Sequence, residues 1–300
     1  MVKGKVWQFI KLTRPLFLLG GFMLYALGAA FAWSQGFPIS PRDYLLGQLL
    51  VTAIQLMTHY ANEYYDQEGD RFNTEGRTWF SGGSGILPSG ALTPQAVRKA
   101  SLWMAFIALG IMVAVSFSTP ILFLFGVVSL LGAWFYSAPP LSLVSTGWGE
   151  LTTSVIVAML VPLVGYTQQS GGQIHSGLLL ACIPLVLVHM AMLIAFSIPD
   201  WQADRRVGKR TLVVRLGKEK VMILHNLLLV LALAACPVIG AWGVRAVRFA
   251  WIALPLVLWQ AATIYRYRST PPPRYLWLTM RAIGLFAFCS FLWLIGVVIG

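Results

Sequence analysis

The amino-acid sequence predicts an all-α, polytopic membrane protein of nine transmembrane helices, built as a single domain over residues 1–300. Three observations predict it. Of 300 residues, 58% are hydrophobic and only 11% charged, under half the roughly 25% charged residues of a soluble domain; mean hydropathy is +0.73. The hydrophobic residues lie in nine long runs, and the basic residues lie between those runs with a strong bias to alternate loops. The same composition excludes a disordered tail, a collagen and a disulfide-rich secreted scaffold. Cys182, Cys236 and Cys289 sit in apolar stretches without metal-type spacing and read as small packed hydrophobes. A formal charge of +12 does not call for nucleic acid, because Lys and Arg placed between apolar runs set topology against a membrane.

In chain order the runs are residues 15–33, 44–61, 100–119, 121–138, 151–167, 177–198, 221–241, 249–265 and 275–300. Each is long enough to cross about 30 Å of hydrocarbon as a helix rising 1.5 Å per residue. Barrel strands would be near ten residues and would alternate strictly. The first run follows a basic start and ends in Ala30-Phe31-Ala32, which mimics a secretory signal and its cleavage site. A signal core spans only about 7–15 residues, so an uncleaved first helix is expected.

The loops orient the chain. Lys3, Lys5, Lys11 and Arg14 precede the first run; Arg71, Arg77, Arg98 and Lys99 follow the second; Arg205, Arg206, Lys209, Arg210, Arg215, Lys218 and Lys220 follow the sixth; Arg266, Arg268 and Arg274 follow the eighth. Those eighteen share one side, against Arg42, Arg245 and Arg248 on the other, with Arg281 inside the ninth run. Positive loops stay cytoplasmic, so an integral, multi-pass protein is expected with its N-terminus cytoplasmic and its C-terminus outside.

The acidic residues carry the chemistry. Nine of ten carboxylates fall on the cytoplasmic side, Asp43 being the exception. Glu63, Asp66, Glu68, Asp70 and Glu75 crowd the end of the second run; Asp200 and Asp204 follow the sixth; Glu150 and Glu219 stand alone. Asn62, Asp66 and Asp70 are spaced i, i+4, i+8, so a helix continuing past Ala61 aligns them in one stripe. Asp200 and Asp204 repeat the i, i+4 step, with Pro199 suited to the first turn of a short helix. Like charges four apart repel, and two such sets on one membrane face point to a cation between them. Oxygen-only ligands select a hard ion, and Mg²⁺ takes one or two carboxylates while phosphate oxygens and water complete its octahedron. Basic residues follow each set and are suited to a diphosphate, as a planar fork (Arg) or a point charge (Lys); setting topology is the competing role. The run Ser81-Gly82-Gly83-Ser84-Gly85 lacks a Walker-type Gly-Lys-Ser/Thr and reads as a mobile cap loop.

At this point the residues resemble a family. Asn62-Glu-Tyr-Tyr-Asp66-Gln-Glu-Gly-Asp70 has the N-x-x-x-D-x-x-x-D pattern of the UbiA superfamily of intramembrane prenyltransferases. Asp200-Trp-Gln-Ala-Asp204 followed by Gly208-Lys209-Arg210-Thr211-Leu212 is similar to its second aspartate motif, and Tyr136-Ser-Ala-Pro139-Pro140 with Gly149-Glu150 resembles its loop after the fourth span. The resemblance implies helices around a central cavity with the acidic motifs at its cytoplasmic mouth. It also implies Mg²⁺-dependent transfer of a prenyl group from a polyprenyl diphosphate to an acceptor, usually aromatic. Carried over by position, Asn62, Asp66, Asp70, Asp200 and Asp204 hold the Mg²⁺–diphosphate, the four aspartates as catalytic residues, while Asn62, Arg77, Tyr136, Lys209 and Arg210 bind substrate. Two departures stand out: Gly85-Ile86 replaces the Arg-Pro that precedes Leu-Pro-Ser-Gly in many relatives, and Phe196-Ser197-Ile198-Pro199 lacks the Asn common in quinone-pathway relatives. The second motif resembles the naphthoate (menaquinone) branch more than the hydroxybenzoate branch, which implies an acceptor such as 1,4-dihydroxy-2-naphthoate.

Competing readings keep the chemistry with another acceptor (a chlorophyll-type alcohol, haem, a carotenoid or a lipid glycerol) or make the carboxylates part of a cation-coupled transporter. Transport predicts acidic groups near the bilayer midplane where inverted repeats meet, and these cluster at one end. Tyr60, Tyr64, Tyr65, Trp79, Phe80, Tyr136 and Trp201 fall near the mouth; interfacial anchoring accounts for most of them, with Tyr136 the preferred exception. His59, His189, His225 and His175 are expected to be buried or structural rather than general bases. The partners expected are the diphosphate, its acceptor and membrane lipid, with no nucleic acid.

Overall fold

The computed structural model describes residues 2–73, 77–268 and 275–299. Glu75, Arg274 and Gly300, and the side chain of Lys3, lie outside what it describes. Among the described residues every regular element is a helix: α1 (Val2–Leu12), α2 (Pro15–Ser34), α3 (Pro41–Tyr65), α4 (Gln67–Phe72), α5 (Pro94–Ser116), α6 (Ile121–Ser137), α7 (Gly149–Val155), α8 (Val161–Gln169), α9 (Ser176–Ser197), α10 (Trp201–Arg206), α11 (Leu212–Leu216), α12 (Lys218–Ala241), α13 (Leu254–Arg266) and α14 (Leu276–Ile299). A π turn, Ile156–Leu160, joins α7 to α8 in one rod.

Seven rods are long and apolar enough to cross a bilayer: α2, α5, α7 with α8, α9, α12, the stretch Arg245–Arg266 and α14. The class of a multi-pass helical membrane protein therefore holds, with seven crossings established by length and hydropathy rather than nine. The other two expected runs are also helical. The apolar α6 has 17 residues, and the 25-residue α3 is diluted by Gln48, Thr52, Gln55, Thr58, His59 and Asn62.

Local chemistry moves several boundaries. Ser40 caps α3 by accepting from the Asp43 N–H at 3.4 Å, and Thr93 caps α5 by accepting from the Ala96 N–H at 3.3 Å. Each cap is followed by a proline at the first helical position, where its missing N–H costs nothing. Arg98 and Lys99 consequently ride the first turns of α5 instead of a loop. Pro199 precedes α10, whose N-cap is Asp200, rather than starting it. Two 3₁₀ turns, Arg245–Val247 and Ala250–Ala253, lead into α13. α1 lies ahead of the first expected run and exposes Val6, Trp7 and Ile10.

Contacts fix the alternation of the rods. At one end of the bundle Arg14 meets Glu63, Asn62 meets Ser137, Ser197 meets Glu150, Lys218 covers Trp201, Arg268 meets Glu219 and Thr279 meets Thr78. At the other end the Ser40 N–H donates to Gln169, and the Trp293 indole donates to the Ala181 carbonyl near the start of α9. The two sets of alternate loops thus sit at opposite ends, as the charge bias required.

Between membrane helices close packing and hydrogen bonds replace the hydrophobic driving force. α2 and α8 show this: a Cβ on Gly28 would overlap the Pro162 carbonyl, and one on Gly165 the Tyr25 carbonyl. Arg281, inside α14, donates through Nη1 to Thr263 Oγ1 at 3.0 Å and lies 4.1 Å from the Trp259 ring centroid, while its buried Nε has no hydrogen-bond partner among the described residues. Intramembrane cations persist when they find such partners.

Candidate active site

The helices enclose a cavity of about 480 Å³. Its deep wall is apolar (Leu50, Ile54, Val161, Met192, Phe286) and its mouth is ringed by Asn62, Asp66, Asp70, Asp200, Asp204 and Lys209. The first acidic set arises because α3 ends at Tyr65, the chain bends at Asp66, and helix resumes as α4. The Asp66 N–H still donates to the Asn62 carbonyl at 2.9 Å and the Asp70 N–H to the Asp66 carbonyl at 3.0 Å, so the i, i+4, i+8 stripe survives the bend. Asn62 Nδ2 donates to Asp66 Oδ2 at 2.6 Å and to Ser137 Oγ at 3.0 Å, anchoring the stripe to α6.

The second set is built the same way. Asp200 sits at the N-cap position of α10, and the Asp204 N–H donates to the Asp200 carbonyl at 2.8 Å. The chain then turns back, with the Lys209 N–H on the Asp204 carbonyl at 3.0 Å. This aims the Lys209 ammonium between the motifs, 2.9 Å from Asp66 Oδ1 and 3.9 Å from Asp204 Oδ1. Thr211 Oγ1 donates to Asp204 Oδ2 at 3.3 Å.

A loop covers the pair. Asn73 Nδ2 donates to Asp200 Oδ1 at 2.5 Å and the Gly82 N–H to Asp200 Oδ2 at 3.1 Å. Gly82 and Gly83 have φ of 75° and 71°, and a Cβ on Gly83 would collide with the Asp70 carboxylate. Glycine is required there both for the left-handed backbone and for the approach. The expected cap loop over residues 81–85 is therefore docked on both acidic sets. Ser84 donates through its N–H and its hydroxyl to Glu63, which Arg14 also meets at 3.4 Å. Glu63 is thereby spent on holding the loop.

Burial strains these charges. Asp70 is pushed up to about 7, first by burial and then by Asp66 and Glu63. Asp200 is raised well above the usual carboxylate range by burial, with Asp204 and Asp70 adding to it. Asp204 rises to about 6 through burial, with Lys209 pulling the other way. Burial would lower the Lys209 ammonium, but Asp66 and Asp204 more than offset it, and its pKa lies above the ordinary lysine value. Buried like charges of this kind are relieved by a cation.

The donor set suits Mg²⁺. It consists of hard oxygens, the ligand type Mg²⁺ takes; among the described residues no group of three or more His, Cys, Asp or Glu side chains is placed to hold a metal ion.

Of the residues expected from the sequence, Asn62, Asp66, Asp70, Tyr136, Asp200, Asp204 and Lys209 line this cavity. Arg77 and Arg210 do not. The Arg77 guanidinium donates to the Asp70 carbonyl at 2.6 Å and the Gly82 carbonyl at 2.9 Å, pinning the loop, and it faces a neighbouring cleft with Lys11 and Arg14. Arg210 is exposed, and its N–H donates to the Ser145 carbonyl. Among the mouth aromatics only Phe80 and Tyr136 line the cavity; Tyr60 packs with Phe9 and Tyr64 lies under Arg98. Three of the four histidines make structural contacts, His59 on the Thr13 carbonyl, His225 on Asn226 and His175 capping α9; His59 and His189 also line the cavity. Sequence reasoning missed Arg14, Asn73 and Ser84.

Residues 22–298 match the UbiA prenyltransferase family. The chain is 27% identical over 223 residues to the 1,4-dihydroxy-2-naphthoate octaprenyltransferase of Bacillus subtilis (strain 168), covering 73% of this chain and 68% of that one. It is equally 27% identical over 221 residues to the digeranylgeranylglyceryl phosphate synthase of Pyrococcus horikoshii, covering 73% and 72%. In fold it is similar to a UbiA homolog from Archaeoglobus fulgidus bound to GPP and Mg²⁺, with a TM-score of 0.69 at 17% identity over 98% of this chain and 100% of that one.

Proposed function

The chain belongs to the UbiA prenyltransferase family, and we propose that it transfers a prenyl group from a polyprenyl diphosphate to an aromatic quinone precursor such as 1,4-dihydroxy-2-naphthoate. One observation carries this reading: two acidic motifs remote in sequence meet at Lys209, at the mouth of an apolar cavity. Asn62, Asp66, Asp70, Asp200 and Asp204 are the residues that would hold Mg²⁺ and, through it, the diphosphate. When bound, the ion supplies Lewis-acid stabilisation of the leaving oxygens.

The protein's own groups do the rest. Lys209 neutralises the charge that builds on the departing diphosphate. The allylic C–O bond breaks with its electron pair on diphosphate, and the apolar wall keeps water from the cation left behind. The faces of Tyr136 and Phe80 stabilise positive charge. A π pair of the electron-rich ring closes the new C–C bond, and the ring regains aromaticity by shedding a proton or, at the carboxylate-bearing carbon of 1,4-dihydroxy-2-naphthoate, by losing CO₂ to leave the prenylated naphthoquinol. The excess of Lys and Arg in the loops at that end supports a cytoplasmic acidic mouth and N-terminus, with the charged diphosphate at the mouth and its tail in lipid.

A glycerol-phosphate lipid acceptor is the second reading, favoured by the equal identity to the Pyrococcus horikoshii relative. Purified protein supplied with geranylgeranyl diphosphate, Mg²⁺ and either 1,4-dihydroxy-2-naphthoate or geranylgeranylglyceryl phosphate separates the two. Prenylated naphthoquinol is the product expected; product only from the glyceryl lipid overturns the aromatic assignment.

A further inference from the structure

Below the acidic mouth the cavity wall carries one histidine on α9. His189 is only 4% exposed yet lines the cavity, about 12 Å along the helix from Ser197 at 1.5 Å per residue. Its Nδ1 lies 3.0 Å from Ser154 Oγ, and Ser154 Oγ lies 2.6 Å from the Glu150 carbonyl oxygen. A serine hydroxyl has one proton. At 2.6 Å the two oxygens would repel unless that proton lies between them, so Ser154 donates to the carbonyl and can only accept from the ring. His189 is therefore protonated on Nδ1, and Nε2 carries a lone pair. Phe286 meets the ring edge-on at 4.7 Å and holds its plane. A prenyl tail offers nothing to such a lone pair, whereas a phenolic hydroxyl does.

We propose that His189, with its tautomer set by Ser154, recognises the acceptor substrate by accepting a hydrogen bond from its hydroxyl at Nε2. The proposal rests on the aromatic-acceptor reading and adds its specificity residue. A lone pair at that place favours a ring hydroxyl over its O-methyl ether, since a buried acceptor left without a donor costs binding.

The test compares wild type with His189→Leu, which removes both ring nitrogens, and His189→Gln, whose amide reaches the Nε2 position. Initial rates are measured with geranylgeranyl diphosphate, Mg²⁺ and 1,4-dihydroxy-2-naphthoate or its O-methyl ethers. His189→Leu is expected to raise the acceptor KM about tenfold, to leave the diphosphate KM within about twofold, and to erase the preference for free hydroxyls. His189→Gln restores a large part of that preference. An acceptor KM and ether discrimination in His189→Leu equal to wild type overturns the role of His189 alone, with the functional reading intact. Wild-type protein that prenylates none of these rings overturns both.

Discussion

The Lys209 ammonium stands 2.9 Å from Asp66 Oδ1, joining a residue of the second acidic motif to one of the first. That contact is possible because the chain reverses after α10 and returns Lys209 over its own motif. The ammonium pairs with these carboxylates and is placed to turn to the phosphate oxygens of a diphosphate held at the mouth. Lys209→Met should therefore raise the KM for the prenyl diphosphate about tenfold or more. It should also move the acid limb of the rate profile to higher pH, because removing a nearby positive charge raises the Asp204 carboxyl further. Lys209→Arg should recover part of both. Steady-state rates from pH 5 to 8 check this, and an unmoved KM with an unmoved acid limb contradicts it.

Asp66→Ala and Asp200→Ala each remove an oxygen donor from a different motif. Prenyl transfer should fall by about two orders of magnitude or more in either, while the yield of detergent-solubilised protein stays close to wild type. Turnover retained in both variants contradicts the assignment of the mouth as the reacting centre.

Asp70 and Asp204 are raised above ordinary carboxylates, to about 7 and about 6. In the metal-free protein the folded state therefore binds more protons than the unfolded one between about pH 4 and 7, and stability falls as pH rises through that window. In the proposed function Mg²⁺ is held by the ionised carboxylates, which offsets their repulsion. Melting in detergent should show a larger stabilisation by Mg²⁺ at pH 8 than at pH 5.5, and Asp70→Asn should reduce the difference. Equal Mg²⁺ shifts at the two pH values contradict this account.

Gly83 has a φ of 71° and no room for a Cβ beside the Asp70 carboxylate. Gly83→Ala should displace the loop, Asp70 or both, and lower kcat about tenfold or more while leaving the bundle folded. Rates and the melting midpoint, measured together, separate that outcome from global loss of structure. Wild-type kinetics in this variant contradict the docking of the loop on Asp70.

The parts legible in the sequence were those encoded by local spacing. The i, i+4 steps of Asn62, Asp66, Asp70 and of Asp200, Asp204 carry the site because each lies on one helix or its bent continuation. The apolar runs locate the rods but misplace their ends. Hydropathy stops at Ala61, whereas α3 continues to Tyr65, and Ser40 and Thr93 start helices earlier than the apolar residues do. The polar residues of α3 disguise its length, because several of them face the cavity instead of lipid. Contacts between distant segments left no mark: Asn73 on Asp200, and Arg14 and Ser84 on Glu63. Arg77 and Arg210 illustrate the limit of reading charge by proximity in sequence, since the backbone turns that aim Lys209 inward leave Arg210 outside.

The central claim is that both acidic motifs act together through a divalent cation on one diphosphate. The most direct measurement is prenyl transfer by purified protein stripped with EDTA and then titrated with Mg²⁺. Turnover should be absent in EDTA, return with Mg²⁺, and stay near zero at every Mg²⁺ concentration in Asp66→Ala and Asp200→Ala alike. Sustained turnover in EDTA, or full rescue of either variant, would contradict it.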